Sequence, residues 1–182
     1  MKRIVLLCTA LLLMFSLGAC FSNQYLQKDE LAALISDHRE LFVAAAKEAQ
    51  TLSDSAYIST IGYYKPSGAP ENLSGLYVYD TEKKETRALE SEPITALFET
   101  CGVHSLGIRT QNGQYACEFS IGGSNRIYNG IYYADPDKPL FLNDYAITLA
   151  PDGAGYSYVV EKMNYYTEKI EDRFYYYAAQ AS

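Results

Sequence analysis

Asn112-Gly113 is where the fold of this chain is most tightly constrained. Both residues accept the positive φ of a type I′ turn, and apolar residues alternate on either side of them, from Val103 to Thr110 and from Gln114 to Gly122. That combination is the strongest short-range signal for a two-stranded hairpin. With Asn112 and Gly113 as the loop, Thr110 faces Tyr115, Ile108 faces Cys117, Leu106 faces Phe119 and His104 faces Ile121. All eight share one face, and Arg109, Gln114, Glu118 and Ser120 share the other. A slip of one residue would turn the apolar set into water, so pattern and turn specify the register together.

The rest of the chain is read outward from this hairpin. Leu31, Ile35, His38, Phe42, Ala45, Ala49 and Leu52 recur at alternating spacings of four and three, which predicts one amphipathic helix from Leu26 to about Leu52. Asp29 and Glu30 suit its positive end, Ser53-Asp54-Ser55 supplies a stop, and His38 on the stripe reads as a core or boundary histidine with one partner. The period then falls to two. Ala56 to Tyr64, Gly75 to Asp80 and Glu85 to Leu89 read as strands, with Lys65 to Asn72 as an exposed loop. Pro93 opens a short helix that runs to Cys101 and closes at Gly102. Arg126 to Ala134, Tyr145 to Leu149, Tyr156 to Met163 and Ile170 to Tyr177 read as further strands, the middle two flanking a turn at Pro151-Asp152-Gly153. The expected class is α+β: an antiparallel meander of about seven to nine strands with both helices packed on one face.

At the other end of the argument stand the first 20 residues. Lys2 and Arg3 form a positive start, Ile4 to Phe15 is an uncharged apolar run, and Ser16 to Cys20 is a segment of mostly small residues. The run spans about 18 Å as a helix, short of the roughly 30 Å of a hydrocarbon core, so it does not read as a permanent span. Leu17-Gly18-Ala19-Cys20 resembles the lipobox of bacterial lipoproteins. The resemblance implies that the Cys20 thiol is diacylglycerylated and the chain is cleaved before it. It also implies a palmitate-type anchor on the extracytoplasmic face of the cell membrane or outer membrane; Phe21 stands where an aspartate would mark inner-membrane retention. The domain plan follows: residues 1–19 a cleaved signal peptide, 20–25 a lipidated cysteine with a short tether, and 26–182 a single domain. Two acyl chains anchor durably where one does not.

Lys2 and Arg3 account for two of the 15 basic residues, so the mature chain carries 13 against 22 acidic. Such a surface repels nucleic acid and anionic lipid head groups, and no basic run reverses it locally. Cys20 being lipidated, Cys101 and Cys117 are the candidate disulfide. In the hairpin register Cys117 lies some 17 Å from Val103. Two further residues recover at most about 7 Å, leaving the Cα atoms near 10 Å apart against a limit of about 7 Å. Either the strand begins only near Ser105 and the bridge forms, or His104 is in the strand and both thiols are free. The same geometry opposes a metal site at Cys101, His104 and Cys117, because His104 and Cys117 stand about 13 Å apart. No cofactor motif and no catalytic motif is present, and the pairs Asp135 with Asp137 and Glu171 with Asp172 read as turn or strand-edge charges.

The 18 tyrosines, set against no tryptophan, are the remaining unusual feature. Adjacent tyrosines point to opposite faces of a sheet, so Tyr128, Tyr132, Tyr175 and Tyr177 are expected to share its second face. Two readings stand. Cross-strand tyrosine pairs stabilise a sheet, and an exposed tyrosine face binds partners, proteins or peptides better than sugars. The sequence thus points to a membrane-anchored binding or interaction module, with a cell-envelope hydrolase or a small-molecule-binding lipoprotein with a pocket between helix and sheet as alternatives. A filled core with an exposed tyrosine face favours the first, and a buried, partly polar pocket favours the other two.

Overall fold

Ten strands among the described residues join edge to edge in one antiparallel sheet. A computed structural model describes residues 27–55, 58–63, 75–121, 127–160 and 163–181. The proposed signal peptide, Cys20 and the tether lie outside them. Two helices, α1 (Lys28–Ser55) and α2 (Glu92–Cys101), accompany β1 (Ile58–Tyr63), β2 (Leu76–Asp80), β3 (Glu85–Ala88), β4 (Ser105–Gln111), β5 (Gln114–Ser120) and β6 (Ile127–Asp135). The second half of the sheet is β7 (Ala150–Asp152), β8 (Gly155–Val160), β9 (Met163–Glu171) and β10 (Phe174–Ala181). Their order is β3-β2-β1-β4-β5-β6-β10-β9-β8-β7.

This corrects the expected α+β class. Strand makes up 47% of the structure and helix 28%, so the sheet dominates and the helices are additions to it. Nor is the sheet a simple meander. After β6 the chain crosses to the far edge, pairs β7 with β8 and returns, so that β10 closes against β6. Residues 145–149, expected as a strand, belong instead to the connection between β6 and β7. The segments expected at 156–163 and 170–177 are redistributed into β8, β9 and β10. One reason is chemical: the turn between β9 and β10 uses Asp172-Arg173, with Arg173 at φ 66°, where a glycine would have announced it.

The hairpin has the register that pattern and turn specify. Thr110 pairs with Tyr115, Ile108 with Cys117 and Leu106 with Phe119, while Asn112 and Gly113 both have positive φ. His104 lies just before β4, and its amide still donates to the Ser120 carbonyl at 3.0 Å.

Helix α1 buries Leu31, Ile35, Phe42, Ala45, Ala46 and Ala49 against the first face of the sheet. Its alanines allow close approach, and Phe42 stands edge-on to Phe119 and Phe174, with ring centroids 5.0 and 6.3 Å away. His38 has non-helical angles (φ −127°, ψ 24°), which kink the helix there. The helix is held to β9 on both sides of the kink, Lys28 by Glu168 at 3.0 Å before it and Arg39 by Glu171 just after it. Farther along, the Tyr115 hydroxyl donates to the Ala46 carbonyl at 2.7 Å. Helix α2 adds Ile94, Leu97, Phe98 and Cys101 to the same core.

The second face has its own core, covered by a loop and not by a helix. Leu140, Phe141, Tyr145 and Leu149 of the β6–β7 connection pack on Ala116, Tyr132, Tyr165, Tyr175 and Tyr177. Arg109 on β4 fastens that connection by donating to the Leu142 carbonyl at 2.9 Å, and the Gln111 side chain accepts from the Tyr145 amide at 3.2 Å.

Two substitutions test this packing by chemical denaturation. Phe42→Ala removes the ring between helix and sheet and is expected to cost about 3–5 kcal/mol. Gly155→Ala sets a Cβ 2.3 Å from the backbone oxygen of Thr167, whereas Gly107→Ala meets the movable Glu118 side chain at 3.3 Å. The first is expected to cost about 1–3 kcal/mol and the second much less.

Candidate functional site

A concavity among the described residues is built around α2. Ser91, in an extended conformation, caps the helix by accepting from the Ile94 amide at 3.5 Å, Pro93 lies in the first turn, and Gly102 ends the helix at φ 67°. Helical periodicity sends Ile94, Leu97, Phe98 and Cys101 into the core and leaves Glu92, Thr95, Ala96 and Glu99 facing outward. Opposite them stand Tyr63 at the end of β1, Gly75 and Leu76 at the start of β2, and Leu89 and Glu90 after β3. The Leu89 amide donates to the Leu76 carbonyl at 3.0 Å and closes the floor. The Tyr63 ring packs edge-on to Phe98 at 5.8 Å, and its hydroxyl donates to Glu99 Oε1 at 3.1 Å.

The result is an open groove of about 480 Å³ with an apolar floor and a rim carrying Glu90, Glu92 and Glu99. Among the described residues, its lining holds no Lys, Arg or His. Its field attracts cationic groups and repels anions.

The tyrosines nominated from sequence occupy a different place. Tyr132, Tyr175 and Tyr177 are buried in the second core, at 0%, 2% and 7% exposure, and do not form an open face. Tyr132 stacks on Tyr175 with centroids 5.2 Å apart. Each hydroxyl has a partner: Tyr132 shares a hydrogen bond of 2.9 Å with Thr167 Oγ1, Tyr175 donates to Asp137 Oδ1 at 2.8 Å, and Tyr177 donates to Glu118. Burial pushes the Tyr132 hydroxyl up to about 12 against the pull of those hydrogen bonds, so it stays protonated. Tyr128 pairs through its backbone with Ala179, and its side chain lies outside the described residues. The cover over this face is the β6–β7 connection, whose 145–149 portion reads as a strand in the sequence.

Cys101 and Cys117 are both buried and unbonded, although β4 begins at Ser105 as the bridged alternative requires. Burial raises both thiols, Cys117 to about 12, which makes them poor nucleophiles. His104 is exposed, His38 is half-buried, and the described residues hold no metal-capable cluster. The acidic pairs each have a cation: Arg173 meets Asp135 at 2.9 Å, Lys169 pairs with Asp137, and Arg39 holds Glu171 with Asp172 at 3.7 Å.

Asp137 gathers three donors, accepting from Lys169, from Tyr175 and from the Arg173 amide at 3.2 Å. Burial pushes its carboxyl up, but these donors together with the Lys169 charge outweigh burial and hold it below its ordinary value. Compared with known proteins, the chain matches no family model, no curated protein and no solved structure.

A carboxyl depressed in the folded state adds stability above its unfolded value of about 3.9 and loses it as pH falls through the folded value. Asp137→Asn is therefore expected to lower stability at neutral pH and to flatten its decline below about pH 4, a comparison that denaturation midpoints across pH make directly.

Proposed function

We propose that this protein is a lipoprotein anchored through Cys20 on the extracytoplasmic face of the cell envelope, and that its domain takes a protein or peptide partner through the acidic groove beside α2. The anchor rests on the sequence Leu17-Gly18-Ala19-Cys20 with the basic start and apolar run before it. The single observation that carries the binding role is the groove itself: three carboxylates above an apolar floor of Leu76, Leu89 and Ala96, with no cation among the described lining residues. An extended segment with basic and apolar side chains complements both parts. A pocket between helix and sheet is not favoured, since Phe42, Phe119 and Phe174 fill the interface there.

Cells fed labelled palmitate are expected to label the wild-type protein and not Cys20→Ala; label retained by the variant contradicts the anchor. A photo-crosslinker at Thr95 in the groove is expected to trap a partner in intact cells, with a yield reduced by Glu92→Gln and Glu99→Gln. The same adducts from a crosslinker at Asp152 on β7 would remove the groove from the reading.

A further inference from the structure

Val159 is 67% exposed, the most exposed large apolar side chain among the described residues. It lies near the end of β8, where no described strand pairs with the outer edge: β7 pairs only with Gly155 to Ser157. Val159 is paired with Asn164 and Tyr158 with Tyr165, and paired residues share a face. The Tyr165 hydroxyl donates to the Leu140 carbonyl in the second core, so Tyr165 and Tyr158 point that way. Val159, Asn164, Tyr166 and Glu168 therefore point to the α1 side.

Glu168 receives the ammonium of Lys28, the first residue of α1, at 3.0 Å. The chain thus enters the domain on this same hairpin. Four residues separate Glu168 from Asn164, about 14 Å of strand, and one strand spacing of about 5 Å leads on to Val159. Seven residues separate Cys20 from Gln27, a reach of at most about 25 Å. A lipid on Cys20 and the side chain of Val159 can therefore meet one surface.

We infer that the sheet edge formed by the end of β8 and the start of β9, at Val159 and Asn164, is the part of the domain that rests on the lipid bilayer, with Val159 entering the head-group region. The inference rests on the anchor reading above. One valine binds a bilayer too weakly to hold a protein, but the anchor makes the contact intramolecular and its local concentration high. The orientation also serves the groove. Seven strand spacings separate β8 from β2 in the sheet order, so the acidic rim is carried away from lipid and toward solvent.

Because the chain contains no tryptophan, a single one reports its own surroundings. Val159→Trp and, as the comparison, Tyr79→Trp on β2, where the side chain is 39% exposed, are made in the full lipidated protein. Each is reconstituted on phosphatidylcholine vesicles with brominated acyl chains, after circular dichroism shows an unchanged fold. The indole of the Val159→Trp protein is expected to shift to the blue and lose most of its emission to bromine quenching, while that of the Tyr79→Trp protein keeps both its wavelength and its intensity. Flotation with vesicles and no quenching in the Val159→Trp protein overturns this inference alone, and a blue shift without quenching does so by assigning the patch to a second copy or to the preceding chain. Equal quenching at both sites overturns the orientation. Failure of either protein to float overturns the anchor and this inference with it.

Discussion

Helix α1 lies across the strands, and the rest of the structure depends on that contact. It begins against Glu168 on β9, touches β10, β6, β5 and β4, and delivers the chain to β1. At 28 residues it is about 42 Å long, enough to span most of a twisted ten-stranded sheet. Phe42 fixes its height at the middle, between Phe119 of β5 and Phe174 of β10, strands from the two halves of the sheet order. One ring thus bridges the β1-to-β5 half and the β6-to-β10 half. The ion pairs of Lys28 and Arg39 hold the helix to β9 on either side of the kink, but the exposure of the two cations makes the pairs guides to position more than sources of stability.

With the first face occupied by helices, the second is closed by chain that has no regular structure of its own. The connection between β6 and β7 supplies apolar side chains, and its backbone polar groups are satisfied by side chains that the strands present. Tyr132 accepts from the Leu140 amide, Tyr165 donates to its carbonyl, and Arg109 donates to the Leu142 carbonyl. This explains the abundance of tyrosine. A ring buries area as phenylalanine does, and its hydroxyl meets a polar group that a buried loop would leave unpaired. The tyrosines hold the loop in place of facing a partner.

The parts of this fold legible in the sequence are those set by local chemistry. Asn112-Gly113 and its flanking alternation specified the register of β4 and β5, although the strands stop short of the expected His104–Ile121 pair. The four-and-three spacing located α1, and Pro93 and Gly102 bounded α2, whose cap Ser91 the structure adds. What escaped depended on long-range contact or on turns without a glycine signal. Arg173 takes a positive φ beside Asp135, Asp137 and Tyr133, an environment no local pattern encodes. Tyr145 to Leu149 alternates like a strand, yet it packs as a cover because β10, distant in sequence, takes the place beside β6. The groove escaped for a related reason: Glu90, Glu92 and Glu99 look like ordinary surface charges until the ends of β1 and β2 are brought opposite them.

Native-state hydrogen exchange tests the claim that α1 unites the sheet most directly, by comparing opening free energies of amides in α1, β4, β5, β6 and β10. The account predicts one common value, equal to the global stability, with β7 and the end of β8 opening at lower energy. Amides of α1 opening well below those of β5 and β10 would contradict it, since the sheet would then stand without the helix that is held to join its halves.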